Sequence, residues 1–254
     1  MEISTHEPGA FCWADLGTSD DAAAEKFYTS LLGLTVFNAP TDRGRYAILL
    51  KDGKQVAALY KQMQPGAPTA WLLYFSAPNV DEAVAKATSL GAKTLMPAMD
   101  VMTAGRMALL QDPTGAAFAV WQAKDHPGAQ VLDEDGAVCW IELQSTDADT
   151  SAGFYKKMFG WTIDPGKDGT YLHLQSSAGK HFGGMMTMNE HMKAAHVPSH
   201  WLAYFQVADC DAVAKKAVLL GGQVVVPTMT IDVGTFTVLR DPQGAVFALY
   251  QKKG

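Results

Sequence analysis

Phe27-Tyr28-Thr29-Ser30-Leu31-Leu32-Gly33 returns in the second half of the chain as Phe154-Tyr155-Lys156-Lys157-Met158-Phe159-Gly160. The same order of landmarks surrounds both copies. Cys12-Trp13 and Cys139-Trp140 precede them, Trp71-Leu72-Leu73-Tyr74-Phe75 and Trp201-Leu202-Ala203-Tyr204-Phe205 follow, and Asp112-Pro113-Thr114-Gly115 and Asp241-Pro242-Gln243-Gly244 close each half. Their spacing changes by only a few residues over a whole copy, which means one domain duplicated with short loop insertions. The period far exceeds the roughly 20 to 50 residues of stacked repeats, so each copy is expected to own a core. Two domains follow, 8–124 and 135–254. The linker 125–134 lies in a polar stretch, Ala123 to Gly136, whose Pro127, Gly128 and Gly136 predict a surface loop.

Each copy repeats a smaller plan. Ala10 to Gly17 is strand-like, Thr18-Ser19-Asp20 supplies an N-cap, and Ala23, Phe27 and Leu31 form a helical stripe that Gly33 ends. Strands are expected at Tyr46 to Lys51 and Gln55 to Lys61. After the turn Pro65-Gly66-Ala67-Pro68 the cycle restarts with a strand, Trp71 to Ser76, and a helix carrying Val80, Ala83, Val84, Ala87 and Leu90 on one face, stopped by Gly91. The second half writes that stripe as Cys210, Val213, Ala214, Ala217 and Leu220, stopped by Gly221. Strands near Thr94 to Met96, Arg106 to Gln111 and Ala117 to Gln122 complete the unit. The last two are joined by an Asp-Pro-x-Gly type I turn. The chain is therefore α+β, four βαβββ modules in two domains.

Composition excludes more than it selects. A net charge of −6 with scattered Lys and Arg gives no field for a phosphate backbone, so nucleic acid is not an expected partner. No apolar run approaches a bilayer span, and MEISTHEPGA lacks a signal-peptide pattern, so a cytoplasmic protein with no membrane partner is expected. Cys12, Cys139 and Cys210 are odd in number and far apart, the pattern of reduced thiols and not of a disulfide or zinc framework. Gly183-Gly184 lacks phosphate-loop spacing, no serine sits in a nucleophile elbow, and Met185, Met186, Met188 and Met192 fit gap-filling core or an adaptable surface.

The capped helix ending in FYTSLLG or FYKKMFG, the second helix ending in Leu-Gly-Ala or Leu-Gly-Gly, and the closing Asp-Pro-x-Gly strand pair resemble the vicinal oxygen chelate superfamily. That group includes glyoxalase I, bleomycin-resistance proteins and extradiol dioxygenases. The resemblance covers nearly the whole chain and extends to tandem glyoxalase-like proteins that include a mycobacterial culture-filtrate antigen. It implies two tandem glyoxalase-like domains with concave mixed sheets. It also implies a divalent metal held by His, Gln or Glu on the first and last strands of two modules. Those positions fall here on Trp13 and Trp140, on or beside Leu72 and Leu202, and on Ala119 and Ala248. Gln55 to Tyr60 and Phe182 to Met188 add no carboxylate or imidazole.

Indole and aliphatic groups do not ligate a divalent ion, so no cofactor is expected. The predicted function is the binding or sequestration of a small aromatic or apolar molecule in the concave cavities, as in resistance or detoxification. Its residues would be Trp13, Asp15, Leu72 and Tyr74 in the first half and Trp140, Glu142, Leu202 and Tyr204 in the second. Strict alternation would turn Cys12 and Cys139 toward the helices and Asp15 and Glu142 onto the cavity floor, where either acid becomes a candidate general base. The alternative is a glyoxalase- or lyase-type enzyme with a displaced metal at Glu142, His181 and His200, among the histidines that also include His173 and His196. A monomer and a homodimer both satisfy the pattern.

Overall fold

The computed structural model describes residues 3–41, 44–64, 66–166, 169–176 and 179–253. Met1, Glu2 and Pro65, the first residue of the expected Pro65–Pro68 turn, lie outside them. The first half runs β1 (Phe11–Thr18), α1 (Asp21–Leu32), β2 (Thr35–Ala39), β3 (Tyr46–Lys51) and β4 (Lys54–Lys61). It continues with β5 (Ala70–Ser76), α2 (Val80–Ser89), β6 (Lys93–Val101), β7 (Gly105–Gln111) and β8 (Ala117–Ala123). The second half gives β9 (Val138–Ser145), α3 (Ala148–Phe159), β10 (Thr162–Asp164), β11 (Tyr171–Gln175), β12 (His181–Thr187), α4 (Glu190–Ala194), β13 (His200–Gln206), α5 (Cys210–Leu219), β14 (Gln223–Ile231), β15 (Gly234–Arg240) and β16 (Val246–Lys252). The short α4 has no counterpart among the described residues of the first half and carries no repeated signal.

Local chemistry sets the helix ends. Asp20 and Asp147 accept from the backbone N–H of Ala23 and Thr150, and Gly33 and Gly160 end the same helices in the left-handed region at φ 69° and 74°. No described helix is long and apolar enough to cross a membrane.

Each half closes its own eight-stranded mixed sheet, in the orders β2-β3-β4-β1-β5-β8-β7-β6 and β10-β11-β12-β9-β13-β16-β15-β14. The modules thus pair within a half, through the antiparallel contacts β1·β5 and β9·β13. The helix-side faces of the two sheets meet in one shared core that includes Phe75, Trp161, Phe205 and Trp71. Phe75 stands 5.3 Å from both Trp161 and Trp201, and Trp71 lies 5.2 Å from Phe205, centroid to centroid.

The repeated motifs lock the halves to each other. Trp71 Nε1 donates to the Tyr28 hydroxyl at 3.1 Å, and that hydroxyl donates to Asp241 Oδ2 of the other half at 3.0 Å. In the mirror position Trp201 Nε1 donates to Tyr155 at 3.0 Å, and Asp112 is the charge beside Tyr155. Each Asp also holds its own turn, Asp112 Oδ1 taking the N–H of Thr114 and Ala116 and Asp241 Oδ1 those of Gln243 and Ala245. Burial and these carboxylates together push both tyrosines well above their ordinary range.

The stretch expected to be a surface linker is partly core. Ala129 and Val131 are buried, while Lys124, Asp125, Glu134 and Asp135 are exposed. Ala129 N donates to Cys12 O, and Gln130 N donates to Gln55 O. Polarity predicted exposure, but the small apolar residues between the charges fit a gap at the lower end of the first sheet.

Candidate functional site

On β1 the residues Ala14 and Leu16 enter the shared core, whereas Trp13 packs with Tyr74, Ala119 and Ala58 on the concave face. Register places Trp13 across from Tyr74, Asp15 across from Leu72 and Ala58, and Tyr74 beside Ala119. The second sheet repeats this with Trp140 across from Tyr204, Glu142 across from Leu202 and Gly184, and Tyr204 beside Ala248. Trp13, Asp15, Leu72 and Tyr74 are therefore brought together, as are Trp140, Glu142, Leu202 and Tyr204.

The cysteines depart from the alternation. Cys12 packs with Trp13 and Ala129, and Cys139 beside Trp140, so neither faces the helices. The ladder shifts at both residues, between Phe11 and Trp13 and opposite Tyr204/Phe205, and a bulge adds the one residue that breaks a period of two. Each thiol lies near a backbone carbonyl, Cys12 Sγ at 3.4 Å from Tyr74 O and Cys139 Sγ at 3.5 Å from Tyr204 O. Burial pushes the Cys139 thiol up to about 12 and raises Cys12 further.

A hydrogen-bonded chain runs over each floor. Trp13 Nε1 donates to the Tyr46 hydroxyl at 2.8 Å, and Tyr46 and Tyr74 both donate to Asp15 Oδ2, at 3.2 and 2.9 Å. In the second half Trp140 Nε1 donates to Tyr171 at 2.9 Å, and Tyr171 donates to Glu142 Oε2 at 2.9 Å. Gln144 Nε2 donates to the other oxygen of Glu142 at 3.0 Å, and burial with the adjacent Glu142 holds Tyr204 far above its usual range. Sequence reasoning missed Tyr46 and Tyr171. The signal was in the repeat, since a Tyr opens the same strand, β3 or β11, in both copies.

Asp15 is buried, its Oδ1 has no partner, and desolvation pushes its carboxyl up to about 7 against the lowering effect of the two tyrosine hydrogen bonds. A raised folded-state pKa contributes stability that is complete below the unfolded value near 3.8 and is lost as pH rises through about 7. Asp15→Asn should remove this term. In urea unfolding the stability of the variant relative to the parent is expected to rise from about pH 4 to about pH 7 and then level off. A difference that stays flat across the window would contradict the buried carboxyl.

The two floors differ in what covers them. In the first half the His126 ring meets Trp13 edge-on at 4.5 Å and lies 5.8 Å from Trp121, whose Nε1 donates to His126 O. Trp13 is 3% exposed beneath it. Burial lowers the His126 imidazole to about 4, so a neutral ring sits there at neutral pH. In the second half Trp140 and Tyr171 remain partly exposed, and His173 takes the place that Ile48 holds in the first. His173 lies 5.2 Å from Tyr171 and 6.5 Å from Trp140.

Gly184 makes room for this arrangement. A Cβ added there would collide with the Tyr171 hydroxyl and ring, which cross it to reach Glu142. Gly184→Ala should displace Tyr171 and cost about 1–3 kcal/mol, the usual range for overpacking. The readout is a lowered thermal midpoint with a changed Trp140 emission; an unchanged spectrum would contradict the crossing.

His181 and His200 do not join Glu142. His200 stands opposite Gln144, its ring bonded to Pro198 O at 2.9 Å, and His181 lies at the Cys139 end of β9, with its ring 3.0 Å from Gln175 Nε2. Some five residues of strand, ~16 Å, separate the two levels. Both are exposed or half-exposed, and His196 sits in the loop after α4. His181 also precedes the bulge in β12, one more residue out of step with Gly184 beside Glu142.

Nor do the residues at the family's ligand positions fit a divalent ion. Trp13, Leu72 and Ala119, like Trp140, Leu202 and Ala248, present no oxygen or imidazole donor, the remaining strands bring Ala58 and Gly184 beside the acids, and the one acid on each floor is already engaged by tyrosines. Among the described residues no group of three or more His, Cys, Asp or Glu could hold a metal.

Residues 11–120 match the model of the Glyoxalase/Bleomycin resistance protein/Dioxygenase superfamily, and residues 140–250 match that of a glyoxalase-like domain. The "Putative glyoxylase CFP32" of Mycobacterium tuberculosis is 38% identical over 97% of this chain and 96% of its own. The "Anthracycline biosynthesis protein DauV" of Streptomyces sp. (strain C5) is 35% identical over 96% of this chain and 94% of its own. Among solved structures, the Mn(II)-bound glyoxalase from Novosphingobium aromaticivorans superposes with a TM-score of 0.66 at 15% identity, covering 98% of this chain and 82% of that one.

Proposed function

As the chain belongs to the glyoxalase/bleomycin-resistance/dioxygenase superfamily, we propose that it uses the superfamily's concave sheet without the metal, to bind a planar aromatic small molecule on the floor of its second half. The observation that carries this reading is the partly exposed Trp140, fixed by Tyr171, over a floor whose polar atoms are already paired. A fixed indole offers a large flat contact at small entropic cost, and the buried Leu202 and Tyr204 pack with it as an apolar support. The name of the Streptomyces relative supports the ligand class, because anthracyclines are planar polycyclic aromatics. The first half contributes fold and not binding, since His126 covers Trp13.

The bound molecule is sequestered or presented rather than transformed by a metal. Tyr171 and Gln144 bond the two oxygens of Glu142, and Tyr204 stands beside it, which makes Glu142 a positioning group for the floor. Titration with 1,8-dihydroxyanthraquinone, a planar tricyclic probe, tests the proposal. Saturable quenching of tryptophan emission is expected in protein stripped of divalent ions by chelation. Binding that returns only when nickel, zinc or manganese is added would overturn it in favour of the displaced-metal enzyme.

A further inference from the structure

The duplication supplies a second comparison, between a filled slot and a vacant one. In register Ala58 stands across from Asp15 as Gly184 stands across from Glu142, and bulges follow Gln55 and His181 alike. Cys12 and Gln55 of the first half thus correspond to Cys139 and His181 of the second. In the first half the segment Pro127–Gln130 lies between them. Ala129 N donates to Cys12 O, Gln130 N donates to Gln55 O, and Gln55 N donates back to Gln130 Oε1. His6 Nε2 bonds Ala129 O at 2.9 Å, and Gly128 lies so close to Cys12 O that no side chain fits there.

In the second half Cys139 and His181, with Trp140, Ser176 and Lys180, form one side of a cavity of about 180 Å³ whose other side includes Ile3, His6, Glu7 and Phe11 of the N-terminal segment. That is comparable to the ~150 Å³ cavity that takes up benzene. Two features mark it as more than a packing gap. The Ser176 hydroxyl in its wall is buried without a hydrogen-bond partner. Its lysine carries no free positive charge, because Lys180 pairs with Asp133 at 3.3 Å, and Glu7 adds an exposed carboxylate to the lining.

We infer that this slot is a binding subsite for a neutral amide of small residues, with the linker of the first half as its template. The ligand places one amide N–H on Cys139 O and the next on His181 O, with a small side chain between them, as Ala129 and Gln130 do on Cys12 and Gln55. An anionic group is disfavoured, because the lysine at the mouth is already neutralised and Glu7 adds negative charge. The subsite shares Trp140 with the aromatic floor, and its hydrogen bonds are made by Cys139 and His181.

Acetyl-Gly-Ala-N-methylamide is the probe, added to the full-length protein and followed by two-dimensional NMR. Saturable shifts at the backbone amides of Cys139, His181 and Ser176 are expected. The depsipeptide in which an ester oxygen replaces the alanine N–H should bind about tenfold more weakly, the worth of one hydrogen bond. Absence of saturable shifts, equal binding of the ester, or shifts confined to the Trp140 and Tyr171 rings would overturn the inference. The anthraquinone titration reads tryptophan emission and not these amides, so either reading can fail alone. A planar carboxamide, benzamide, separates a free small molecule from a peptide: binding of both probes at these amides supports amide recognition from either source, and binding of benzamide alone would overturn the peptide template.

Discussion

Trp161→Ala should lower stability by about 3–5 kcal/mol, the range for removing a buried Trp, and should do so in a single transition. Trp161 is 2% exposed, its Nε1 donates to Gly9 O at 2.9 Å, and its ring lies 5.3 Å from Phe75, 5.2 Å from Tyr155 and 5.0 Å from Phe182. Gly9 and Phe75 belong to the first half and Tyr155 and Phe182 to the second, so the vacated space weakens both at once. In guanidinium unfolding the midpoint is expected to fall with an unchanged slope, read alike by fluorescence and circular dichroism. Two separated transitions, with the first half unmoved, would show that the shared core is not cooperative.

Trp140→Ala should weaken anthraquinone binding by tenfold to about a hundredfold, the loss typical of a central aromatic anchor. Trp13→Ala should leave the affinity within about twofold and instead lower stability, because Trp13 lies beneath His126 and meets no open space. The two residues hold equivalent positions on β1 and β9, and each donates its indole N–H to an equivalent tyrosine. A difference between them therefore reports the covering segment and not the floor. Equal losses in the two variants would contradict the assignment of the second half as the working side.

How much of this was legible in the sequence follows from the range of each signal. The repeat gave the modules, the N-caps at Asp20 and Asp147, the helix-ending Gly33 and Gly160 and the two turns, because each is set by residues within a few positions of one another. Alternation along β1 and β9 placed Trp13, Asp15, Trp140 and Glu142 on the concave faces. It failed at Cys12 and Cys139, where a single inserted residue depends on what packs against the strand end.

Partners distant in sequence were less visible. Tyr46 meets Asp15 across an intervening helix and strand, α1 and β2, and nothing local to Tyr46 names that carboxylate. The burial of Ala129 was hidden for the same reason, since its contact is with Cys12 at the other end of the half. The asymmetry of the cavities lay in two substitutions that the repeat did display, Ile48 against His173 and Ala58 against Gly184. Their meaning required the register that brings both beside the acid.

The most direct test of one working cavity in a duplicated chain is the number of planar ligands bound per chain. Native mass spectrometry of the chelated protein with 1,8-dihydroxyanthraquinone is expected to give one ligand per chain, lost in Trp140→Ala and kept in Trp13→Ala. Two ligands per chain, or one that survives Trp140→Ala, would contradict the account.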